Sequence, residues 1–502
     1  MPGEAYEKLV GELREVQTLG SVCSVLGWDE QVNLPPQGAE HRAAQLGLLA
    51  GVVHARATDA KLDDLIAAAA VDVEDGSPEH AVVAEARRQF DRQTRLPADL
   101  VKKLSETTTL AQHAWVSARK ANDYAAFEPW LHKVMELKRE QADALRTDGQ
   151  SRYDVLLDEY EPGMTSADVE AIFGPLAESL SELVREVAGS GTTVDTAPLA
   201  GPYPVPGQRE LSRRAAAAIG FDFEAGRIDE TAHPFCSGFG PGDCRLTTRY
   251  DETFLSQGLY GTLHEAGHGM YEQGLPRDHY GTCRGESASL GVHESQSRMW
   301  ENWVGRSREF WTFLYPHVTE LFENARGFTE EQFFLACGEV KPSHIRVEAD
   351  EVTYNLHILL RFDLERELID GGLRSGDLPA RWDERFKELF GIDVPDVSHG
   401  CIQDVHWSAG LVGYFPTYTL GNLYAAQLWE AAERDLGPIP AKVAEGEFAP
   451  LLGWLREHVH AHGHRHKAAE IVRRATGEDL SHEPLMKHLR AKCARVYGTC
   501  AS

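Results

Sequence analysis

The sequence predicts a mostly α-helical fold that contains one small β element. Long stretches place apolar residues three and four positions apart, as on one face of a helix, and they cover residues 4–19, 125–145 and 166–187. Thr165 and Ser166 mark a helix start, because acidic residues follow in the first turn. Residues 230–252 instead show the pattern of a strand pair.

The β element is predicted from a turn and from the segment that follows it. The turn is formed by Gly238, Gly240, Pro241 and Gly242. The segment CRLTTRY that comes next alternates with β-branched residues. We interpret the region as a β-hairpin, and a strand beside a cleft can bind an extended peptide backbone by strand addition.

The chain of 502 residues is long enough for one large domain or for two or three average ones. Residues 187–208 are rich in Gly, Pro and Thr and are predicted not to be helical. We expect them to connect a helical N-terminal part, residues 1–186, to the part that carries the chemistry, residues 209–502. No internal repeat is present. We predict a single domain over residues 1–502.

Composition excludes two classes of partner. The formal net charge of −28 repels nucleic acid and anionic membrane surfaces. We see no signal peptide, and no run approaches the roughly 18 apolar residues that a membrane span needs. The eight cysteines are scattered without a C-x-x-C pair, so reduced thiols are expected, although a Cys493–Cys500 bridge is conceivable. A cytoplasmic protein is therefore expected.

Residues 264–268 form an H-E-x-x-H motif, with His264, Glu265 and His268. Residues four apart lie on one face of a helix, so the two imidazoles can bind one Zn²⁺. Glu265 lies one step round the helix, facing the water of the metal. Zinc lowers the pKa of that water to about 7, so Glu265 can take its proton and later pass a proton to the leaving amine. Among 22 histidines a chance match is not rare, so the motif needs support from a third ligand.

A catalytic zinc usually takes three protein ligands and leaves one position open. A third His in the astacin-like pattern is excluded, because Tyr271 and Gly274 stand where that pattern requires Gly and His. The other solution is a Glu from a following helix.

Glu294 is the preferred third ligand, and it follows His268 by 26 positions. Glu286 and Glu301 are nearby rivals. Glu294 is chosen because its segment is unusually polar between apolar positions, which suits a cleft wall better than a core. Its polar neighbours are His293, Gln296 and Arg298.

Five motifs give the chain a close resemblance to the carboxypeptidase Taq family of thermostable metallocarboxypeptidases. They read DCRLT at 243–247, HEAGH at 264–268, HESQ at 293–296, IRVEAD at 345–350 and GCIQDVHW at 400–407. Segments near Trp28, Tyr153 and Gly413 also look like this family, so the resemblance runs nearly end to end.

The resemblance implies an α-rich fold like that of neurolysin and angiotensin-converting enzyme, with a deep cleft and a small β-sheet beside the metal site. It implies one Zn²⁺ per chain, with Co²⁺ or another divalent ion as an alternative, and a homodimer. It also implies that the HESQ motif supplies the third ligand, which agrees with the choice of Glu294.

A carboxypeptidase needs a cation for the terminal carboxylate of its substrate, and the planar fork of Arg matches a carboxylate. Residues 343–372 are predicted to form one long amphipathic helix. The helix alone favours a surface pair between Arg346 and Asp350, four positions apart. The family motif instead implies that Arg346 binds the carboxylate. Arg245 is the second candidate, either for the same carboxylate or only for holding the hairpin with Asp243.

The tetrahedral intermediate needs donors aimed at its oxyanion. His406, Tyr414 and Tyr418 are available, and each alone would by default be a core residue. In the fold that the chain resembles, a His and a Tyr about a dozen residues later serve this role, which selects His406 and Tyr418. Gln403 and Asp404 are candidates to orient these groups.

An alternating tract of histidines near the C-terminus looks like a second metal site. Its members are His458, His460, His462, His464 and His466. Spacing of two does not suit one helix face, and Gly463 breaks the segment. A solvated helix junction is therefore predicted.

The predicted function is that of a zinc metallocarboxypeptidase of broad specificity, acting on peptides with a free C-terminus. Glu265 is the base and then the acid, His406 and Tyr418 stabilise the oxyanion, and Arg346 fixes the carboxylate. One alternative is an endo-acting zinc oligopeptidase on the same fold, which does not need a terminal carboxylate. Another is a helical interaction protein with structural zinc, but such a site would have four protein ligands and no use for Glu265.

Overall fold

The structure is a computed structural model that describes residues 3–499. These residues form a mostly α-helical protein with one small sheet, so the predicted fold class is confirmed. They divide into two compact units. Unit 1 contains the described residues up to Gln93, with Asp195–Cys337 and Tyr424–Asp479; unit 2 contains Thr94–Val194, Gly338–Leu423 and the described residues from Leu480 onward.

The helices are numbered in chain order. They are α1 (Glu4–Val32), α2 (Ala39–Ala57), α3 (Ala60–Asp72), α4 (Pro78–Arg95), α5 (Ala98–Ala121), α6 (Tyr124–Leu145), α7 (Arg152–Leu157), α8 (Ser166–Gly189), α9 (Val205–Ile219), α10 (Leu255–Gly274), α11 (Leu290–Arg298), α12 (Arg308–Leu321), α13 (Glu330–Ala336), α14 (Thr353–Asp370), α15 (Leu378–Phe390), α16 (Pro416–Leu436), α17 (Ile439–Ala444), α18 (Ala449–His458), α19 (Ala468–Thr476) and α20 (Glu483–Tyr497).

Helix α8 begins where it was predicted to begin, whereas the non-helical segment predicted over residues 187–208 is too long. Thr165 caps the helix, since its hydroxyl accepts the N–H of Asp168 at 3.2 Å and the Asp168 carboxylate accepts the N–H of Thr165 at 3.0 Å. Residues 187–208 are helical at both ends, because α8 continues to Gly189 and α9 already begins at Val205. The division into units at Val194–Asp195 lies between these two helices. That residues 1–502 act as one domain stays a prediction.

The sheet of unit 1 has three strands, β1 (Gly226–Glu230), β2 (Cys236–Gly240) and β3 (Asp243–Thr248), in the order β1–β3–β2. The antiparallel pair β2–β3 is the predicted hairpin, while β1 pairs in parallel with β3 and was not predicted. The β1 sequence GRIDE is short and mainly polar, so it carries no strand signal. Because β3 is central, strand addition is open only to the outer strands β1 and β2.

The long helix predicted over residues 343–372 is wrong in its first third. Residues 346–348 form a single 3₁₀ turn, Ala349 is extended with ψ of 145°, and α14 begins only at Thr353. The reason is Asp350, whose carboxylate accepts the backbone N–H groups of Lys341 and Thr353 and the Thr353 hydroxyl. An Asp used in this way marks a helix start rather than a helix interior.

Two further observations concern disulfides and membrane-spanning helices in the part of the chain that the structure describes. None of the seven cysteines in residues 3–499 forms a disulfide. Cys500, the partner in the conceivable bridge to Cys493, lies outside the described residues. Within those same residues, no helix combines the length and the apolar character that crossing a bilayer requires.

Candidate metal centre

The two histidines of the H-E-x-x-H motif lie one turn apart on α10, in unit 1. Helix α10 packs against β2 and β3, so the small sheet lies beside the motif as expected. The Nε2 atoms of His264 and His268 are 3.6 Å and 3.3 Å from Oε2 of Glu294, which lies on α11. Three side chains from two helices therefore point at one place.

A close approach between α10 and α11 brings Glu294 into reach. A Cβ added at Gly267, in the middle of the motif, would lie 2.6 Å from the Gln296 carbonyl oxygen and 2.6 Å from Cα of Ser297. Only Gly can fill this position without moving one of the two backbones. Helix α11 starts at a Ser289 cap, whose hydroxyl accepts the N–H of Val292 at 3.0 Å.

The three side chains fit a divalent metal. One donor atom from each of His264, His268 and Glu294 can be chosen so that all lie within 4.8 Å of one another. Among residues 3–499, no other set of three His, Cys, Asp or Glu side chains meets this condition. Two imidazoles and one carboxylate form the ligand set of catalytic zinc sites that keep one position open.

Glu294 is held ready as an anion. Arg298 donates from Nε to its Oε1 at 2.6 Å, and the Ser297 hydroxyl donates to its Oε2 at 3.0 Å. Burial by itself would raise the pKa of Glu294, but the charge of Arg298, with that of His264 in its protonated metal-free form, outweighs burial and holds this pKa well below its usual value. A deprotonated carboxylate is the form that binds a metal.

The rival carboxylates take other places. Glu301 lies on a π-helix, Met299–Gly305, and its Oε2 is 2.9 Å from Nδ1 of His264, on the side of the ring away from Glu294. It orients the imidazole and leaves Nε2 for the metal, as carboxylates behind zinc-bound histidines do. Glu286 is absent from the donor set among the described residues.

His268 is also contacted at its Nδ1 atom, which lies 2.5 Å from Nδ1 of His293. Nε2 of His293 in turn lies 2.8 Å from Oε1 of Glu272. Sequence reasoning missed Glu272 and the partnership of Glu301 with His264, and it treated His293 only as a polar neighbour. The i,i+4 spacing of His268 and Glu272 was the one available signal.

Glu265 lies beside the donor set but is not part of it. The residue is only 6% exposed. Burial, with the charge of Glu294 added, raises the pKa of Glu265 to about 7. A carboxyl group with a pKa near neutrality can both take and return a proton at physiological pH.

In unit 2, Arg346 belongs to a buried cluster of charges. Its Nε and Nη2 donate to Oδ1 of Asp404 at 3.0 Å and 2.8 Å, and its Nη1 donates to the Tyr354 hydroxyl at 3.1 Å. Arg361 reaches the other oxygen of Asp404 at 2.6 Å. The surface pair between Arg346 and Asp350 is therefore wrong. Two guanidinium groups share one carboxylate, which leaves one net positive charge.

His406 and Tyr418 lie together in the same unit. Nε2 of His406 is 3.2 Å from the Tyr418 hydroxyl. Burial lowers the pKa of His406 to about 4, so the ring is neutral at pH 7. Tyr414 also packs near His406, with ring centroids 5.5 Å apart. Gln403 holds the segment of Arg346, since its Oε1 accepts the Arg346 backbone N–H at 2.8 Å.

Arg245 on β3 is tied to its own strand. Its Nε and Nη2 each donate to one oxygen of Asp243 at 2.9 Å. Its guanidinium also lies 4.4 Å from the ring centroid of Trp28 and 5.0 Å from that of Phe239. These contacts favour the role of holding the hairpin, one of the two roles considered for this residue.

The solvated junction predicted for the histidine tract is wrong for His460. This residue is 1% exposed, and its Nε2 lies 3.0 Å from Oε1 of Gln296 on α11. Its ring also packs on Tyr271 of α10, with centroids 5.0 Å apart. A residue that closes a turn can point inward, which spacing alone does not reveal.

Comparisons with known proteins agree with this geometry. Residues 8–493 match the family model described as carboxypeptidase Taq (M32) metallopeptidase. Thermostable carboxypeptidase 1 of Thermus thermophilus is 44% identical, over 99% of this chain and 100% of its own length. Carboxypeptidase 1 of Bacillus subtilis is 35% identical, over 98% of this chain and 99% of its own.

Solved structures match over the same extent. The M32 carboxypeptidase of Deinococcus radiodurans superposes with a TM-score of 0.95 at 40% identity, covering 99% of this chain and 100% of the other. The Pyrococcus furiosus carboxypeptidase gives a TM-score of 0.95 at 35% identity, covering 98% and 99%. The chain belongs to the carboxypeptidase Taq (M32) family of metallopeptidases.

Proposed function

We propose that this metallopeptidase is a zinc-dependent carboxypeptidase that removes residues of many kinds from the free C-terminus of peptides. The observation that carries the proposal is the open set of donors formed by His264, His268 and Glu294. A zinc ion bound there would polarise the scissile carbonyl and lower the pKa of a water molecule. Co²⁺ or another divalent ion could replace zinc on the same ligands.

Glu265 moves the protons in this proposal. Its carboxylate takes a proton from the attacking water and then gives a proton to the nitrogen of the leaving amino acid. Without metal the pKa of Glu265 is raised to about 7. The positive charge of a bound zinc would lower this pKa and so favour the carboxylate form that takes the first proton. Its burial keeps bulk water from competing for that proton.

Arg346 is proposed to bind the terminal carboxylate of the substrate. Within the described residues it uses three of its five N–H groups, so it retains the capacity to bind another carboxylate. The net positive charge of its cluster with Asp404 and Arg361 favours a further anion. Arg245 is the weaker candidate, because its ion pair with Asp243 has no net charge, whereas Arg361 leaves the Arg346 cluster with one positive charge.

His406 and Tyr418 are proposed to donate hydrogen bonds to the oxyanion of the tetrahedral intermediate. Their mutual hydrogen bond of 3.2 Å holds the two groups as one unit. The neutral state of His406 lets one ring nitrogen donate while the other stays an acceptor. The mutual bond uses one of the two protons, so it has to open before both groups can donate to the oxyanion.

The endo-acting oligopeptidase is not favoured, because the named relatives over the whole length of the chain are carboxypeptidases. We further propose a cytoplasmic homodimer. The seven reduced cysteines among the described residues support a reducing compartment. Light scattering of the purified protein would measure twice the mass of the 55.6 kDa chain.

The metal is tested by composition. Purified protein should hold about one zinc per chain, and a chelator should abolish hydrolysis. Glu294→Ala should lose the metal, because one of three ligands is gone. Glu286→Ala is the matched control and should keep it. Full retention of zinc by Glu294→Ala would contradict the proposed ligand set.

A further inference from the structure

We propose that Glu272, acting through His293, holds His268 in the single tautomer whose Nε2 can bind the metal. The proposal rests on the metal site of the proposed function and adds two positioning residues to it. Neither residue belongs to the donor set of His264, His268 and Glu294.

The side chains of Glu272, His293 and His268 form a continuous line that ends at the proposed metal position. Glu272 Oε1 lies 2.8 Å from Nε2 of His293, and Nδ1 of His293 lies 2.5 Å from Nδ1 of His268. The far nitrogen of His268, Nε2, lies 3.3 Å from Oε2 of Glu294. All the side chains of this line are mostly shielded from solvent, with exposures of 24% for Glu272, 17% for His293 and 15% for His268.

When both imidazoles are neutral, the direction of every proton in this line follows from the Glu272 end. The Glu272 carboxylate only accepts, so the proton of a neutral His293 lies on Nε2. Nδ1 of His293 then carries a lone pair and must receive a proton from His268. His268 is thereby protonated on Nδ1, and its Nε2 presents a lone pair towards Glu294.

His293 cannot itself serve as a fourth ligand in this arrangement. Its Nδ1 faces Nδ1 of His268 and its Nε2 faces Glu272, so neither nitrogen points at the place where the three donor atoms converge. Its ring instead lies close to that of His268, with centroids 4.5 Å apart. The His293 ring therefore links the Glu272 carboxylate to His268 and fixes the orientation of the His268 ring.

The two metal-binding histidines thus reach a carboxylate by different routes. Nδ1 of His264 faces Glu301 directly at 2.9 Å, whereas Nδ1 of His268 reaches Glu272 through an intervening imidazole. Strand β2 lies close against the Glu272 carboxylate, because a Cβ added at Gly238 would collide with it. The strand backbone therefore restrains the carboxylate at the start of the line.

Two substitutions of His293 separate positioning from packing. In His293→Asn the amide oxygen takes the place of Nδ1 and can still accept from His268, although the side chain is smaller. In His293→Leu the volume is nearly kept, but no acceptor remains. Positioning predicts that Asn retains zinc better than Leu, whereas packing alone predicts the reverse.

A second pair of variants separates the effect of the Glu272–His293 hydrogen bond from the effect of negative charge near the site. Glu272→Ala removes the carboxylate that is bonded to His293. Glu286→Ala removes an acid whose charge interacts with Glu272, although it has no bond to His293. Only Glu272→Ala should weaken zinc binding, and it should add little in a His293→Leu background.

The experiment measures zinc affinity by competition with a chelator, and the unfolding midpoint of each variant without metal. We expect His293→Leu and Glu272→Ala to bind zinc about 10- to 100-fold more weakly, and His293→Asn to lose less than either. If Leu retains zinc as well as Asn, or if Glu286→Ala weakens binding as much as Glu272→Ala, the proposal is overturned. If His293→Leu does not fold, the comparison of Glu272→Ala with Glu286→Ala tests the proposal. Wild-type protein that binds no zinc would instead contradict the proposed function.

Discussion

Glu265 occupies a place where a carboxyl group ionises with difficulty. Burial is the main cause, and the nearby Glu294 and Glu301 add negative charge. In the metal-free protein the resulting pKa is about 7.

This environment predicts a pH-dependent cost to the metal-free protein. Below pH 4.5 the Glu265 carboxyl is protonated in both the folded and the unfolded chain. Between pH 4.5 and about 7 the unfolded chain releases the proton first, so the free energy of unfolding falls as pH rises. The difference of about 2.5 pKa units corresponds to about 3 kcal/mol.

Glu265→Gln removes that titration. Without metal, the variant should become more stable than wild type by a margin that grows to about 3 kcal/mol from pH 4.5 to 7.5. The same variant should keep zinc but lose about 10²- to 10⁴-fold in kcat. Denaturant unfolding at several pH values, with zinc analysis and turnover, gives all three results. A stability difference that does not change with pH would contradict the buried carboxyl.

At the scale of residues, the sequence predicted the side chains that face the metal position but not the residues that contact those side chains from behind. The spacing of His264 and His268 was enough to place two Nε2 atoms together. The partners of their Nδ1 atoms come from separate elements, and nothing in a linear pattern states which carboxylate approaches which ring. Asp404 is a similar case, because the arginines that it joins precede it by 58 and 43 positions.

At the scale of elements, the site depends on two helices packed backbone to backbone. Helix α10 carries the two histidines, and α11 supplies Glu294. Gly267 lies at their contact, where the Gln296 carbonyl oxygen leaves no room for a methyl group. The position of the proposed third ligand is therefore set by Gly267, which has no side chain to bind a metal.

Gly267→Ala should separate the helices. We expect a loss of about 1–3 kcal/mol in stability, because the added Cβ meets backbone that cannot rotate away. Zinc should also bind more weakly, since Glu294 moves with α11. Gly261→Ala on the same helix is the control, because its Cβ would meet only the Thr248 hydroxyl at 3.4 Å. Thermal unfolding and zinc titration of both variants test this, and equal behaviour would contradict it.

Element boundaries were harder to predict than element types. The strong periodicity of residues 166–187 and the Thr165 cap led to the correct start of α8. The amphipathic pattern of residues 343–372 was equally good, yet the helix begins only at Thr353. Asp350 decides this by binding backbone N–H groups, a local competition that hydrophobic spacing does not register.

At the scale of the whole molecule, the two units carry different parts of the proposed chemistry. Unit 1 contains the metal donors and Glu265, and unit 2 contains the arginine cluster with His406 and Tyr418. A carboxypeptidase needs both kinds of group, because hydrolysis and recognition of a free end are separate tasks. Its specificity for the end of a peptide should therefore depend on residues outside the metal motif.

Arg346 makes that dependence measurable. A charge-assisted pair with a free carboxylate is worth roughly 1.5–3 kcal/mol, and an amidated end cannot form it. This corresponds to a preference on the order of 10- to 100-fold for the free acid. Arg346→Ala should lose most of this preference, and Arg346→Lys should restore only part, because Lys keeps the charge but not the fork.

The most direct test is hydrolysis of one peptide in two forms, with a free C-terminal acid and with a C-terminal amide. We expect wild-type protein to release single C-terminal residues from the free acid and to cleave the amide about 10- to 100-fold more slowly. In Arg346→Ala the rate for the free acid should fall towards that for the amide, with the fold checked by unfolding. A preference that survives Arg346→Ala would move the role to Arg245. Equal cleavage of both forms by wild type, at internal bonds, would contradict the account of a carboxypeptidase.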